Sequence, residues 1–328
     1  MKKKLTWLCK RYSEANVFFL LSFFVFLFFL TSPTAGDFSY SDAPRHALNG
    51  VFLKDIILDM PLSDPKQYAI NYYLKYPALT ILFYPPLMSF LMAGFYAVFG
   101  ISHTTAQFSI TIFHLALALG TYLLARRCLP KWQAFSASLL LIAAPEVCLW
   151  GRQVMLDIPA CAWLAFSVLF FVHYLDKICK ISYLFLCAFF FLCALYTKQT
   201  TIFMAPVFLL VLLMTHGHYI LLKKHFLQIL ILFTLLLIPL ILLTMEFGQV
   251  NVHSASGARA SDIPRDNVWA WIYYLKQIPH QFGWPTAVLS LTFIVVSVTN
   301  RRWRLPKNIK ITFLVWLLVG YLFPHGRV

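Results

Sequence analysis

Apolar residues come along this chain in long, nearly unbroken runs. Runs long enough to span a bilayer, or nearly so, lie at about 16–31, 106–125, 132–150, 158–175, 181–197, 199–215, 226–246, 284–300 and 311–325. Each reads as a membrane-crossing helix, whereas the strands of a membrane barrel would alternate apolar and polar positions. One further run, 87–99, is ambiguous. Its length as a helix is about 20 Å, short of a hydrocarbon core of about 30 Å. Pro85 and Pro86 before it and Gly100 after it keep it from extending.

Charge settles how the runs thread. The 328 residues are 60% hydrophobic and only 12% charged, with a mean hydropathy of +0.74, which excludes a soluble domain. The net charge of +15 would suit a nucleic-acid partner if it formed one face. It is instead split into short clusters between apolar runs. These are Lys2, Lys3, Lys4, Lys10 and Arg11; Arg126, Arg127 and Lys131; Lys177 and Lys180; Lys223 and Lys224; and Arg301, Arg302, Arg304, Lys307 and Lys310. Basic loops are retained on the cytoplasmic side. If 87–99 lies in the outer interface, all five clusters fall inside with Glu14 and Asp176 as the accompanying acids. If it crosses, the clusters split. The sequence therefore predicts an all-α bundle of about nine transmembrane helices, one transmembrane domain over 1–328, with its N-terminus cytoplasmic. No nucleic-acid partner is expected.

The first span follows lysines as a signal peptide would. No small-x-small cleavage site follows it, and Pro33 interrupts the region, so it reads as an uncleaved anchor. Two large outer segments remain. The first, 32–105, is rich in Pro and Tyr and reads as short helices lying on the membrane with aromatic rings at headgroup level. The second, 247–283, reads as a polar mobile lid around His253 to Ser261. An interfacial helix with Trp269, Trp271, Tyr273 and Tyr274 follows it. The seven cysteines form no CxxC pair and none lies in an outer loop, so neither a disulfide nor a zinc knuckle is expected. No Asn-x-Ser/Thr, P-loop, dinucleotide fingerprint or nucleophile elbow occurs.

With this topology Asp42 and Asp157 both lie at outer span ends. A carboxylate near a bilayer is costly, and is usually hidden, paired or working. Arg45 and Arg152 flank the two acids, and a guanidinium fork suits phosphate oxygens. Lys198, between the fifth and sixth spans, adds a point charge. Each has a plainer reading. Asp42 before Ala43-Pro44, and Asp157 before Pro159, fit helix N-terminal caps. Arg152 and Lys198 fit side chains reaching to headgroups. His216 and His218 with Lys223, Lys224 and His225 read as a headgroup-facing basic loop rather than a metal site. Glu146 and Glu246 read as structural, and Asp55, Asp59 and Asp64 as a solvated face.

From the first span to about residue 210, four ordered blocks resemble the GT-C superfamily of polyprenyl-phosphate-sugar-dependent glycosyltransferases. The likeness is to family 39, with its protein O-mannosyltransferases and lipid A aminoarabinose transferases. Asp42-Ala43-Pro44-Arg45-His46-Ala47 resembles its first-loop acidic motif. Tyr84-Pro85-Pro86-Leu87 resembles its Pro-Pro-Leu juxtamembrane helix, and Gly151-Arg152 through Asp157 its second acidic site. Thr197-Lys198-Gln199-Thr200 is similar to a Lys-bearing block at a later outer boundary. The chain departs from the pattern where Ala43 replaces a second acid and Tyr84 a lysine. Family members also continue with more spans, so the chain reads as C-terminally incomplete.

The resemblance implies an inverting transferase that moves a monosaccharide from a polyprenyl-phosphate donor. The acceptor would be a lipid, glycan or protein at the outer face of a bacterial cytoplasmic membrane. Asp42 would be the general base. Asp157 would orient acceptor or sugar. Arg45, His46, Tyr84, Arg152 and Lys198 would bind substrate. A divalent metal is the one cofactor two carboxylates suggest, although neither acid shows a metal spacing. The alternatives are a lipid-sugar flippase and an inactive membrane partner or fragment of such a transferase.

Overall fold

The computed structural model describes the backbone of residues 2–177, 180–256, 268–299 and 305–322. Side chains are described from residue 14 onward, apart from those at 249–268, 270, 274 and 298. Fourteen α-helices make up the regular structure of these residues. They are α1 (Lys2–Leu30), α2 (Ala43–Asp59), α3 (Pro65–Lys75), α4 (Leu87–Phe99), α5 (His103–Ala125), α6 (Lys131–Ile142) and α7 (Pro145–Gly151). Then follow α8 (Asp157–Asp176), α9 (Ile181–Leu195), α10 (Met204–His216), α11 (Lys224–Ser256), α12 (Val268–Phe282), α13 (Trp284–Thr299) and α14 (Lys307–Leu322). Short 3₁₀ turns, Gln199–Phe203 and His218–Leu222, flank α10.

Where their residues are described, each of the nine predicted spans overlaps a helix, and the 87–99 run is the separate helix α4. Four helices among the described residues are long and apolar enough to cross a membrane, and five if the bent pair α6–α7 is one span. The apolar stretches Glu14–Leu30, Leu87–Phe99, Ile181–Leu195 and Trp284–Ser297 are shorter.

The predicted span 132–150 is not one rod. It bends by 70° between α6 and α7. Pro145 has no amide hydrogen to continue the ladder, and it forces Ala144 into an extended conformation with ψ of 140°. The second outer segment also differs from expectation. The backbone of His253 to Ser256 continues α11 rather than opening a lid, and the rest of the predicted lid lies outside the described residues. Trp269, Trp271 and Tyr273 fall on α12, as expected.

The chain divides into two compact units, residues 1–79 with 89–162, and residues 80–88 with 163–328. In the first, α1, α5 and α6 pack around Val17, Leu21, Val25, Ala118, Tyr122 and Ile142. Ala118 and Ala134 let these backbones approach closely, and Ser138 Oγ donates to the Ala118 carbonyl at 2.6 Å. Glu14 of α1 accepts from the Tyr122 hydroxyl and pairs with Arg126 at 3.4 Å, so this acid ties α1 to the end of α5. Helix α2 packs on α4 at Gly50, where a Cβ would lie 2.9 Å from Met92 Cγ.

Asp55, Asp59 and Asp64 are not merely a solvated face. Asp64 accepts from the Gln67 amide at 2.9 Å and caps α3. Asp59 and Asp55 accept the hydroxyls of Tyr68 and Tyr72 at 2.7 and 2.9 Å, which clamps α3 onto α2. Burial, and then the Asp59 carboxylate, push the Tyr68 hydroxyl up to about 12, and burial with Asp55 raises Tyr72 as well. The unfolded chain ionises a tyrosine near 10, so this clamp contributes its full stability below about pH 10 and loses it as pH climbs through the raised values. In a tyrosinate absorbance titration, Tyr68→Phe should remove a late-ionising group. Its removal of an ordinary one would sink the clamp.

In the second unit, α9 packs on α11 through Phe191 and Phe233, stacked at 5.6 Å. An apolar groove there is lined by Phe185, Phe189, Leu192, Ile229, Leu232 and Leu236. Helices α10 and α14 lie along one another. Asp176, the second of the predicted inner-side acids, accepts from Asn308 Nδ2 at 2.8 Å and joins α8 to α14.

Candidate functional site

Residues 40–45 form a tight turn, with the Ala43 amide on the Tyr40 carbonyl at 3.2 Å, that runs straight into α2. Pro44 in the first turn pre-sets the helical φ and leaves no amide hydrogen unsatisfied. Asp42 occupies the cap position, yet its side chain makes no capping hydrogen bond. Its Oδ1 instead accepts from Arg45 Nη1 at 3.0 Å, and the two side chains are 30% and 44% exposed. Of the two readings of Asp42, the cap is right for the backbone and not for the carboxylate. Arg45 is thus engaged with Asp42, and can still offer its other donors outward.

The same turn is fixed to a second predicted block. The Tyr40 ring meets Trp150 edge-on at 4.7 Å. Trp150 lies near the end of α7, and Arg152 caps that helix. The structure therefore brings the Asp42 and Gly151–Asp157 blocks together in one unit, from positions more than a hundred residues apart. Arg152 does not simply reach to solvent, because its Nη2 donates to the backbone carbonyl of Thr31, just past the end of α1. A helix C-terminus carries a partial negative charge, so a guanidinium there is held electrostatically. The Nε hydrogen of Arg152 has no partner among the described residues. Asp157 opens α8, which places an acidic residue in the first turn, at the positive end of the helix dipole.

Two residues that the sequence reading missed hold this block. Gln107, fully buried on α5, donates from Nε2 to the Gly151 carbonyl at 3.0 Å. Two turns on, His114 is 1% exposed and stacked on Phe28 at 5.7 Å. Its ring fills the space a side chain at 151 would need, with Nδ1 at 2.3 Å from where a Cβ would lie. The available signal was a glutamine and a histidine seven residues apart inside an apolar span, where polar groups are expensive. His46 is 4% exposed, on the buried side of α2 beside this turn.

The other two predicted blocks come together in the second unit. The Leu87 amide at the start of α4 donates to the Tyr196 carbonyl at 3.1 Å, two residues before Lys198. Lys198 precedes the 3₁₀ turn in an extended conformation, and its carbonyl accepts the Thr201 amide and hydroxyl at 3.1 and 2.9 Å. Tyr84 packs on Phe83 at 4.8 Å. No three His, Cys, Asp or Glu side chains among the described residues come together to hold a metal ion.

Residues 84–242 match the family model for dolichyl-phosphate-mannose-protein mannosyltransferases, which takes in three of the four blocks and leaves Asp42 outside. The crystal structure of ArnT from Cupriavidus metallidurans bound to undecaprenyl phosphate superposes with a TM-score of 0.67. It is 15% identical and covers 95% of this chain and 55% of its own. The apo form of that protein gives 0.67 at 14% identity, over 97% and 56%. At such identity the likeness is one of fold. The chain spans about half the length of the proteins it superposes on. No curated protein matches it in sequence.

Proposed function

We propose that this integral membrane chain, whose fold is that of the GT-C superfamily, is a transferase of a monosaccharide from a polyprenyl phosphate to an acceptor hydroxyl. The observation that carries the reading is the Asp42 turn. A half-exposed carboxylate, not spent on capping its helix, is held by Arg45 and fixed through Tyr40 and Trp150 beside the Arg152 block. Asp42 takes the proton of the acceptor hydroxyl as that oxygen attacks the anomeric carbon. The carbon–oxygen bond to the phosphate breaks on the opposite face, and the polyprenyl phosphate leaves with the electron pair. One displacement inverts the anomeric centre. Arg152, with the donors of Arg45 not used on Asp42, stabilises charge growing on the phosphate. Asp157 orients the sugar or acceptor. In the second unit, the resemblance of their blocks supports donor-facing roles for Lys198 and Tyr84.

The placement of basic clusters supports a site on the opposite, outer face, and the family resemblance supports a bacterial cytoplasmic membrane. Lipid, glycan and protein acceptors all supply the required hydroxyl. The test is to supply purified protein with radiolabelled polyprenyl-phosphate sugars and an envelope extract as acceptor. Label moving from lipid to acceptor is expected. Donor carried across a vesicle membrane without bond cleavage would replace this reading with a flippase. Within the transferase, Arg152→Lys keeps the charge and loses the planar fork. One charged hydrogen bond is worth about 1.5–3 kcal/mol, so donor turnover should fall on the order of 10- to 100-fold. Unchanged turnover would confine Arg152 to its Thr31 contact.

A further inference from the structure

Helix α10 stops at His216, followed by Gly217 at a φ of 73°, a left-handed turn that favours glycine. The 3₁₀ turn then delivers Lys223, while α14 starts at Lys307 alongside. Asn308 of α14 donates to Asp176 at the end of α8 at 2.8 Å, and the Tyr174 hydroxyl of α8 meets His225 Nε2 at the start of α11 at 3.0 Å. These ends therefore lie together, and the charges of both lysines act on the His216 ring. The ends of α8 and α10 and the starts of α11 and α14 gather basic groups at one end of the second unit. The acid at this end, Asp176, is engaged by that Asn308 bond. The described segments at this end contribute Lys177, Lys180, Lys223, Lys224, Lys307 and Lys310 against that single acid. The C-terminal dipole of α10 offsets only about half a charge. Cations gathered at one end repel unless anions join them.

The surroundings say what kind of anion. Tyr219 and Leu222 beside Lys223 are 72% and 70% exposed, and Met214 on the last turns of α10 is 62% exposed. Apolar and aromatic side chains interleaved with lysines at the end of a span match the chemistry of the headgroup layer. We propose that Lys223, Lys307 and His216 form a binding site for the phosphodiester of an anionic phospholipid. This site is independent of the proposed transfer chemistry and uses none of its residues.

The test is native mass spectrometry of the purified protein equilibrated with phosphatidylglycerol or phosphatidylcholine. Wild type should retain phosphatidylglycerol preferentially. Lys223→Gln with Lys307→Gln should weaken that retention on the order of 30-fold, from about fivefold per lysine near a lipid surface. Lys177→Gln with Lys180→Gln removes equal charge from the same end and should leave retention nearly intact. Equal losses in the two double variants would overturn a specific site in favour of diffuse charge. Retention unaffected by Lys223→Gln with Lys307→Gln would overturn it outright. Displacement of the lipid by inorganic phosphate at matched concentration would overturn the headgroup as occupant and assign the site to a soluble anion. All four lysines are exposed, so melting temperatures should stay at the wild-type value and confirm folded variants.

Discussion

Asp42→Asn should lower sugar transfer by about 10²- to 10⁴-fold while donor binding changes little, because a general base contributes about that much and acts chiefly in the transition state. Asparagine keeps the size of the side chain and an acceptor oxygen for Arg45, so the turn should survive. The backbone of the turn is held independently by the Ala43 amide on Tyr40 and by the Tyr40–Trp150 contact. Loss of the base should therefore appear in kcat, with the melting temperature near wild type. Asp157→Asn is the internal comparison. That residue sits in the first turn of α8, and a smaller effect, mixed between kcat and KM, is expected for an orienting role. Full transfer in Asp42→Asn with normal expression would remove this residue as the base. A complete loss of donor binding would instead make it a structural support for Arg45.

The apolar helices were legible because long apolar runs announce themselves, and length and apolarity are local properties. Asp42 and Arg45 were legible for the same reason, being three residues apart on one helical turn. The bend at Ala144 was written in the sequence as well. Pro145 marks it, but inside a continuous apolar run the hydropathy signal conceals a break of direction. Asp55 and Asp59 looked solvated because their tyrosine partners lie 17 and 9 residues away on another helix. What could not be read was the support of the Arg152 block. Gln107 meets Gly151 across 44 residues, and Arg152 meets Thr31 across 121. Contacts of that range depend on how helices pack, which hydropathy and charge do not encode. The grouping of the four blocks in pairs, two in each unit, was equally invisible along the chain.

Gly151→Ala should be the most damaging small substitution in the first unit. A Cβ there would lie 2.3 Å from Nδ1, 2.5 Å from Cε1 and 2.9 Å from Cγ of His114, all atoms of one rigid ring. The ring cannot easily give way, since it is buried and stacked on Phe28. Overpacking of a tight interior costs about 1–3 kcal/mol, and more where neighbours are rigid. If α7 moves instead, the Gln107 bond to the Gly151 carbonyl stretches, and an unsatisfied buried carbonyl costs about 1–3 kcal/mol. Either route also turns Arg152, the next residue, so transfer should fall together with the melting temperature. The two effects can be separated through the partner. His114→Ala leaves a cavity, but joined to Gly151→Ala it opens room for the new methyl group. The double variant should therefore lose less stability than the sum of its parts, with a coupling of about 0.5–3 kcal/mol. Additive losses would mean that His114 and Gly151 do not meet as described, and the brace that aims Arg152 would fall with them. Stability regained in the double variant without recovery of transfer would show that the ring also fixes the direction of Arg152, beyond filling space.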